Sequence, residues 1–136
     1  MRTKGHSMEP TLYDGSWTII QRILYTPERG DIIVCRSNEK DKDIIKRVIA
    51  VGGDEVFVDP FGDVYVNGEL LDEPYLESHE PLYKFTIMPV TVSEGCVWVL
   101  GDNRNNSRDS RDIGEIPNEQ IIGKVVIKLT KGNAPS

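Results

Sequence analysis

No sustained 3.6-residue apolar period runs through this 136-residue chain, and that absence constrains its fold more than any other feature. In its place, short runs rich in Ile, Val, Tyr and Phe recur between Gly, Pro, Asp and Asn. The runs are SWTIIQRI, DIIVCRS, IIKRVIAV, EVFVD, VYVNGELL, KFTIMPVTV, CVWVLGD and IIGKVVIKL. β-branched and aromatic side chains suit a pleated surface, and the punctuating residues supply the backbone geometry that turns need. PFGD between EVFVD and VYVN reads as a hairpin loop, and Asn67-Gly68 is a second turn signal. Helix is confined to two modest candidates, Glu9–Tyr13 and the segment IPNEQIIG. The expected fold is all-β, with mainly antiparallel sheets in a barrel-like or meander arrangement.

The length is that of one domain spanning residues 1–136. LDEPYLESHEPLYK (Leu71–Lys84) opens a stretch around 71–97 that reads as a short irregular excursion from the sheet. Asn38–Asp43 reads as a solvated charged turn and KGNAPS as a frayed tail. A formal net charge of −6 and a pI near 4.9 argue against a nucleic-acid partner, which calls for a positive surface. No apolar stretch approaches the roughly 18–20 residues of a spanning helix, and no signal peptide opens the chain. Cys35 and Cys96 sit in separate apolar runs, where free buried thiols are the plain reading and a single bridge stays open. His6 and His79 are scattered, so the pattern offers no metal site and calls for no cofactor.

Three segments depart from generic strand and turn. In GHSMEPTLYDG (Gly5–Gly15), Ser7 precedes an X-Pro unit and by itself reads as a turn or capping residue; it does not fit a GxSxG elbow. In DIIKRVIAVGGD (Asp43–Asp54), Lys46 and Arg47 are strand neighbours that cannot both point to solvent. Lys46 therefore either snorkels or is desolvated by Ile44 and Ile45, and desolvation lowers a lysine toward the range of a general base. LGDNRNNSRDSRDIGEI (Leu100–Ile116) reads as a polar loop knitted by Asp–Arg pairs and Asx turns.

Taken in order, these segments resemble the sequence boxes of the type I signal peptidases. SMEPTL resembles the box that carries the nucleophile, RGDIIV (Arg29–Val34) a structural strand box, KRVIAVGGD the lysine box and GDNRNNSRDSRDIG the last box. VYVNGELLDEPYL is similar too, so the resemblance covers nearly the whole chain.

The resemblance implies a Ser–Lys hydrolase, with Ser7 as nucleophile and Lys46 as general base. It implies that Ser107 steadies the lysine head, and that Asp109 and Arg111 form a supporting ion pair. The oxyanion would be held by the Ser7 N–H and a donor near Gly5, where one branch of the family has a serine. Met8, Leu12, Ile44 and Ile45 match positions that line pockets for small side chains, while ordinary core packing is an equal reading. The implied substrates are signal peptides of exported preproteins, cut after small residues at positions −1 and −3. His6 points away from its neighbour Ser7 and is not the base.

Members of the family carry a membrane anchor just upstream of the nucleophile box. The resemblance therefore implies a membrane-associated catalytic domain on the extracytoplasmic side, its anchor missing from this chain. Docking on the membrane surface calls for an exposed apolar patch near Ser7, from Met8, Leu12 and Trp17, although Trp17 packed in the core is an equal reading. Two rival readings remain: a self-cleaving repressor-type Ser–Lys peptidase domain, and a non-catalytic peptide-binding β module.

Overall fold

The computed structural model describes residues 1–22, 25–37, 42–76 and 87–129. Each apolar run becomes a strand: β1 Trp17–Gln21, β2 Ile32–Ser37, β3 Lys42–Val51, β4 Glu55–Val58, β5 Val64–Val66, β6 Glu69–Leu70, β7 Ile87–Thr91, β8 Cys96–Leu100, β9 Ile116–Pro117 and β10 Ile121–Leu129. They form two antiparallel sheets, ordered β1-β10-β2-β3-β8-β9 and β6-β5-β4-β7. The chain is thus all-β with little helix. Sequence order is broken at one edge of the larger sheet, where the last strand inserts between β1 and β2.

Both expected turns form. PFGD closes the β4–β5 hairpin through Asp59 and Asp63, and Asn67-Gly68 turns β5 into β6. Asn67 and Gly68 have φ values of 53° and 82°, the two positive angles that a tight hairpin turn of the right twist requires. Within the excursion expected around 71–97, Ile87–Thr91 pairs with β4 and Cys96 opens β8. Residues 77–86, most of Asn38–Asp43 and the KGNAPS tail lie outside the described residues.

Neither helix candidate forms as expected. Around Pro10 the backbone makes one turn, with Thr11 N and Leu12 N donating to Met8 O at 2.8 and 2.9 Å. IPNEQIIG divides into β9, a three-residue 3-10 turn (Asn118–Gln120) and the start of β10. The α-helix described, α1 (Ser110–Ile113), lies instead in the polar loop. Asp109 caps it, Asp112 Oδ2 accepts a hydrogen bond from the Asp109 N–H, and Gly114 ends it at φ 80°. Four residues are too few to show an apolar period, so only the caps could have announced it.

Ile49 and Ala50 of β3, the valines of β4 and β5, Val92, and Trp98 and Leu100 of β8 form the largest apolar cluster among the described residues. β3 is buried continuously from Ile45 to Ala50, unlike a half-solvated strand that alternates. Lys46 and Arg47 are therefore both withdrawn from water, beyond the sequence expectation that one of them would be.

Asp54, at the turn from β3 to β4, ties the two sheets to the loop before β2. It accepts from Arg29 Nε and Nη2 (2.9 and 2.6 Å), Asn67 Nδ2 (3.0 Å) and Val51 N (3.0 Å). The Arg29 guanidinium, with smaller help from Val51 and Asn67, holds the carboxyl down at about 2, against the opposing effect of burial. A depressed carboxyl stabilises fully above its unfolded value near 3.8 and loses that contribution as pH falls through about 2. Urea midpoints should therefore drop between pH 4 and pH 2. Asp54→Asn should cost about 1–2 kcal/mol at neutral pH, after allowance for the half-exposed arginine, and should flatten that drop.

Candidate active site

The segment bearing Ser7 is held at both ends. Arg2 bridges Trp17, Thr3 N donates to Ser16 O at 2.7 Å, and Gly15 N returns a bond to Thr3 O at 2.8 Å. Gly5 then bends the chain at φ 89°, a conformation that favours glycine. Beyond the turn, Met8 and Leu12 pack with Val34 and Ile45. Burying two such side chains contributes about 1.5–3 kcal/mol each, so Ser7 is pinned by its own neighbours. From the opposite side, Asn103 N donates to Ser7 O at 2.8 Å and Asn103 Nδ2 to His6 O at 3.0 Å.

Lys46 enters from the middle of β3, opposite Ile33 on β2. The residue is only 4% exposed, and its Nζ lies 2.7 Å from Ser7 Oγ. Burial disfavours an ammonium against a neutral amine, and a neutral amine at this distance can take the hydroxyl proton.

The last polar segment forms the third wall. Fully buried Asp109 accepts from Gly101 N (3.0 Å), Ser107 Oγ (2.8 Å), Arg111 Nε (2.9 Å) and Arg111 Nη2 (2.8 Å). Burial pushes its carboxyl up, yet the Arg111 guanidinium and the Gly101 and Ser107 donors outweigh that and hold it below the usual carboxylate range. Gly101 leaves no room for a side chain: a Cβ there would stand 2.1 Å from Ser107 Oγ and 2.6 Å from Ser7 O. Ser107 and Ser7 thus meet across one glycine.

Sequence reasoning did not find the further ion pairs that hold this wall. Arg47 forks onto Asp102 (2.9 and 2.8 Å), donates to Gly30 O (3.0 Å) and stacks 3.8 Å from the Tyr75 ring centre. Arg104 pairs with Glu73 and donates to Gly101 O at 2.8 Å. Asp102 also accepts from Thr11 Oγ1 at 2.5 Å, tying this wall to the Ser7 turn. The available signal was Arg47 itself, a cation in a strand too apolar to leave it unpaired. Glu73 and Tyr75 belong to the stretch read as an excursion, and no local pattern marks them.

Ser7 and Lys46 open on a cleft of about 530 Å³ whose walls include Met8, Ile44 and Ile45. Leu12 does not line it and packs in the core beneath, which corrects its expected place in a pocket. Gly5 N donates to Asp14 Oδ1 at 2.9 Å, so the expected second oxyanion donor is already engaged; Ser7 N donates to no described residue. The His6 ring is exposed, with Nδ1 2.5 Å from Glu9 Oε2, and that carboxylate raises its pKa. His6 therefore serves Glu9 and not Ser7.

Cys35 is buried and Cys96 half-buried, both as free thiols, and burial pushes the Cys35 thiol up to about 12. No group of three His, Cys, Asp or Glu side chains among the described residues could hold a metal, and His79 lies outside them.

Arg111→Ala would leave Asp109 buried without its main counter-charge, and should cost about 3–5 kcal/mol by chemical denaturation. Adding Asp109→Ala should cost less than the sum of the two single losses, because the stranded charge goes with it. Gly101→Ala should cost about 1–3 kcal/mol through overpacking.

The chain is similar to known proteins along most of its length. A family model described as signal peptidase, peptidase S26 matches residues 1–130. Signal peptidase I of Bacillus caldolyticus is 41% identical over 137 residues, covering 90% of this chain and 74% of that protein. A Synechocystis sp. protein named Probable signal peptidase I-2 is 44% identical over 132 residues, and those residues span 90% of this chain but only 59% of the relative. The crystal structure of a signal peptidase I from Enterococcus faecalis V583 superposes with a TM-score of 0.64 at 30% identity, covering 75% of this chain and 98% of that one. With the family model matching residues 1–130 and relatives 41–44% identical over 90% of its length, this chain belongs to the signal peptidase, peptidase S26 family.

Proposed function

We propose that the protein is a serine endopeptidase that removes N-terminal signal peptides from exported preproteins, with residues 1–136 acting as one catalytic domain. The observation that carries this reading is a buried lysine amine 2.7 Å from a serine hydroxyl at the floor of an open cleft. Ser7 Oγ attacks the scissile carbonyl while neutral Lys46 Nζ accepts the hydroxyl proton. The tetrahedral oxyanion takes the Ser7 N–H as one donor. Collapse expels the amine of the mature protein, which receives the proton from Lys46 and leaves an ester on Ser7. Water, deprotonated by the same amine, then hydrolyses the ester. In this scheme Ser107 steadies the Lys46 head, while Asp109 and Arg111 keep the wall that carries it in register. Family membership sets aside the repressor-type reading, and the dyad opposes a purely binding module.

An extended signal peptide would lie against the strand edge at Ile44 and Ile45. Those two side chains and Met8 leave room for small residues at −1 and −3, the preference this reading assigns. Preprotein cleavage tests it. Ser7→Ala should lower turnover at least about a thousandfold while leaving the fold intact, since the hydroxyl is the nucleophile. Lys46→Arg should not rescue, because guanidinium stays protonated. Wild-type turnover in either variant contradicts the reading.

The same proposal places the domain at the extracytoplasmic membrane surface. No helix among the described residues is long and apolar enough to cross a membrane. Docking would instead use an exposed apolar surface. Met8 and Leu12 are buried and cannot supply it, but Trp17 is 52% exposed, and Ile19, two residues on along β1, faces the same way. Val126 on neighbouring β10 is also exposed. In liposome flotation the domain should co-float at low and moderate salt, and Trp17→Ser with Ile19→Ser should abolish this. Absence of co-flotation at any salt contradicts docking through this face.

A further inference from the structure

The charge around the cleft is opposite to that of the chain. The protein carries a formal net charge of −6, yet the cleft walls include Arg2, Lys4, Lys42 and Arg108 against one described carboxylate, Asp43. Asp43 is already engaged, its Oδ1 3.4 Å from Arg36 Nε. Arg2, Lys4 and Lys42 are exposed, and their side chains form no hydrogen bond or ion pair with a described residue. Four described cations away from the cleft are matched within the fold: Arg29 with Asp54, Arg47 with Asp102, Arg104 with Glu73, Lys124 with Asp31.

These cations reach the cleft from two sides. Arg2 and Lys4 belong to the segment that leads into Ser7. Lys42 opens β3 four residues before Lys46, an even spacing that puts both side chains on one face of the strand. A cleft lined by one sign of charge focuses the field and concentrates ligands of the opposite sign. The acyl-transfer chemistry itself requires none of the three, because the scissile amide is neutral and the proton moves between Ser7 and Lys46.

We propose that this cationic rim is a specificity element that selects substrate peptides carrying an Asp or Glu close to the scissile bond. The inference rests on the peptidase reading and adds a charge preference to its requirement for small residues. An anionic lipid headgroup would satisfy the same charges. Their place in the walls that hold Ser7 and Lys46 favours the peptide.

The test uses binding, so that it does not depend on turnover. The Ser7→Ala protein is titrated with fluorescent signal-peptide analogues, either neutral or bearing one Asp placed in turn on each side of the cleavage position. At one or more positions the Asp peptide should bind about three- to tenfold tighter in low salt. Lys4→Gln with Lys42→Gln should reduce that ratio toward one, as should molar salt. Equal binding of all peptides, or a preference that survives both substitutions in a variant with unchanged melting temperature, overturns the proposal. Loss of binding to phosphatidylglycerol vesicles in the same variant, with the peptide preference intact, assigns the rim to lipid and also overturns it. If wild type cleaves none of the peptides while the Asp preference holds, the rim stands and the peptidase reading falls.

Discussion

Lys46 projects from β3 an amine that water barely reaches, 2.7 Å from the hydroxyl of Ser7, and the surrounding structure serves to keep those two groups together. A lysine left to itself would snorkel to solvent. Here the strand is covered on both faces, and the Ser7 turn is stapled over it by Met8 and Leu12. The apolar cluster that buries those side chains is therefore also the device that sets the distance. Its contribution to stability and its contribution to chemistry cannot be separated.

Around that contact the fold accepts several buried charges, each matched by a fork or a set of donors. Arg47 with Asp102, Arg104 with Glu73 and Arg111 with Asp109 all converge on the segment 101–111. Buried pairs contribute little net stability compared with apolar replacements of similar shape, because desolvation offsets most of the attraction. What they supply here is position. Each bidentate pair admits one geometry, and together they fix Gly101 where Ser107 and Ser7 meet. The polar segment is thus a rigid wall rather than a solvated loop.

The strands were legible because β-branched runs and turn residues alternate so regularly, and Asn67-Gly68 even specified its turn. Ser7 and Lys46 were legible as a pair only through the resemblance, since neither a lone serine nor a lone lysine announces chemistry. The insertion of β10 between β1 and β2 was not legible, because pairing across a hundred residues leaves no local trace. Glu73 and Tyr75 escaped for the same reason: their partners, Arg104 and Arg47, are distant in sequence. Leu12 was misplaced because an apolar side chain near Ser7 reads alike whether it faces a cleft or a core.

The central claim is that Ser7 and Lys46 act as one unit, and a double-mutant cycle on preprotein cleavage tests it most directly. Turnover is measured for wild type, Ser7→Ala, Lys46→Ala and the double variant. If the amine acts only through the hydroxyl, the double variant is no slower than Ser7→Ala alone. Losses that multiply, so that the double variant falls below Ser7→Ala by the full factor lost on removing Lys46, would show two independent contributions and contradict the account.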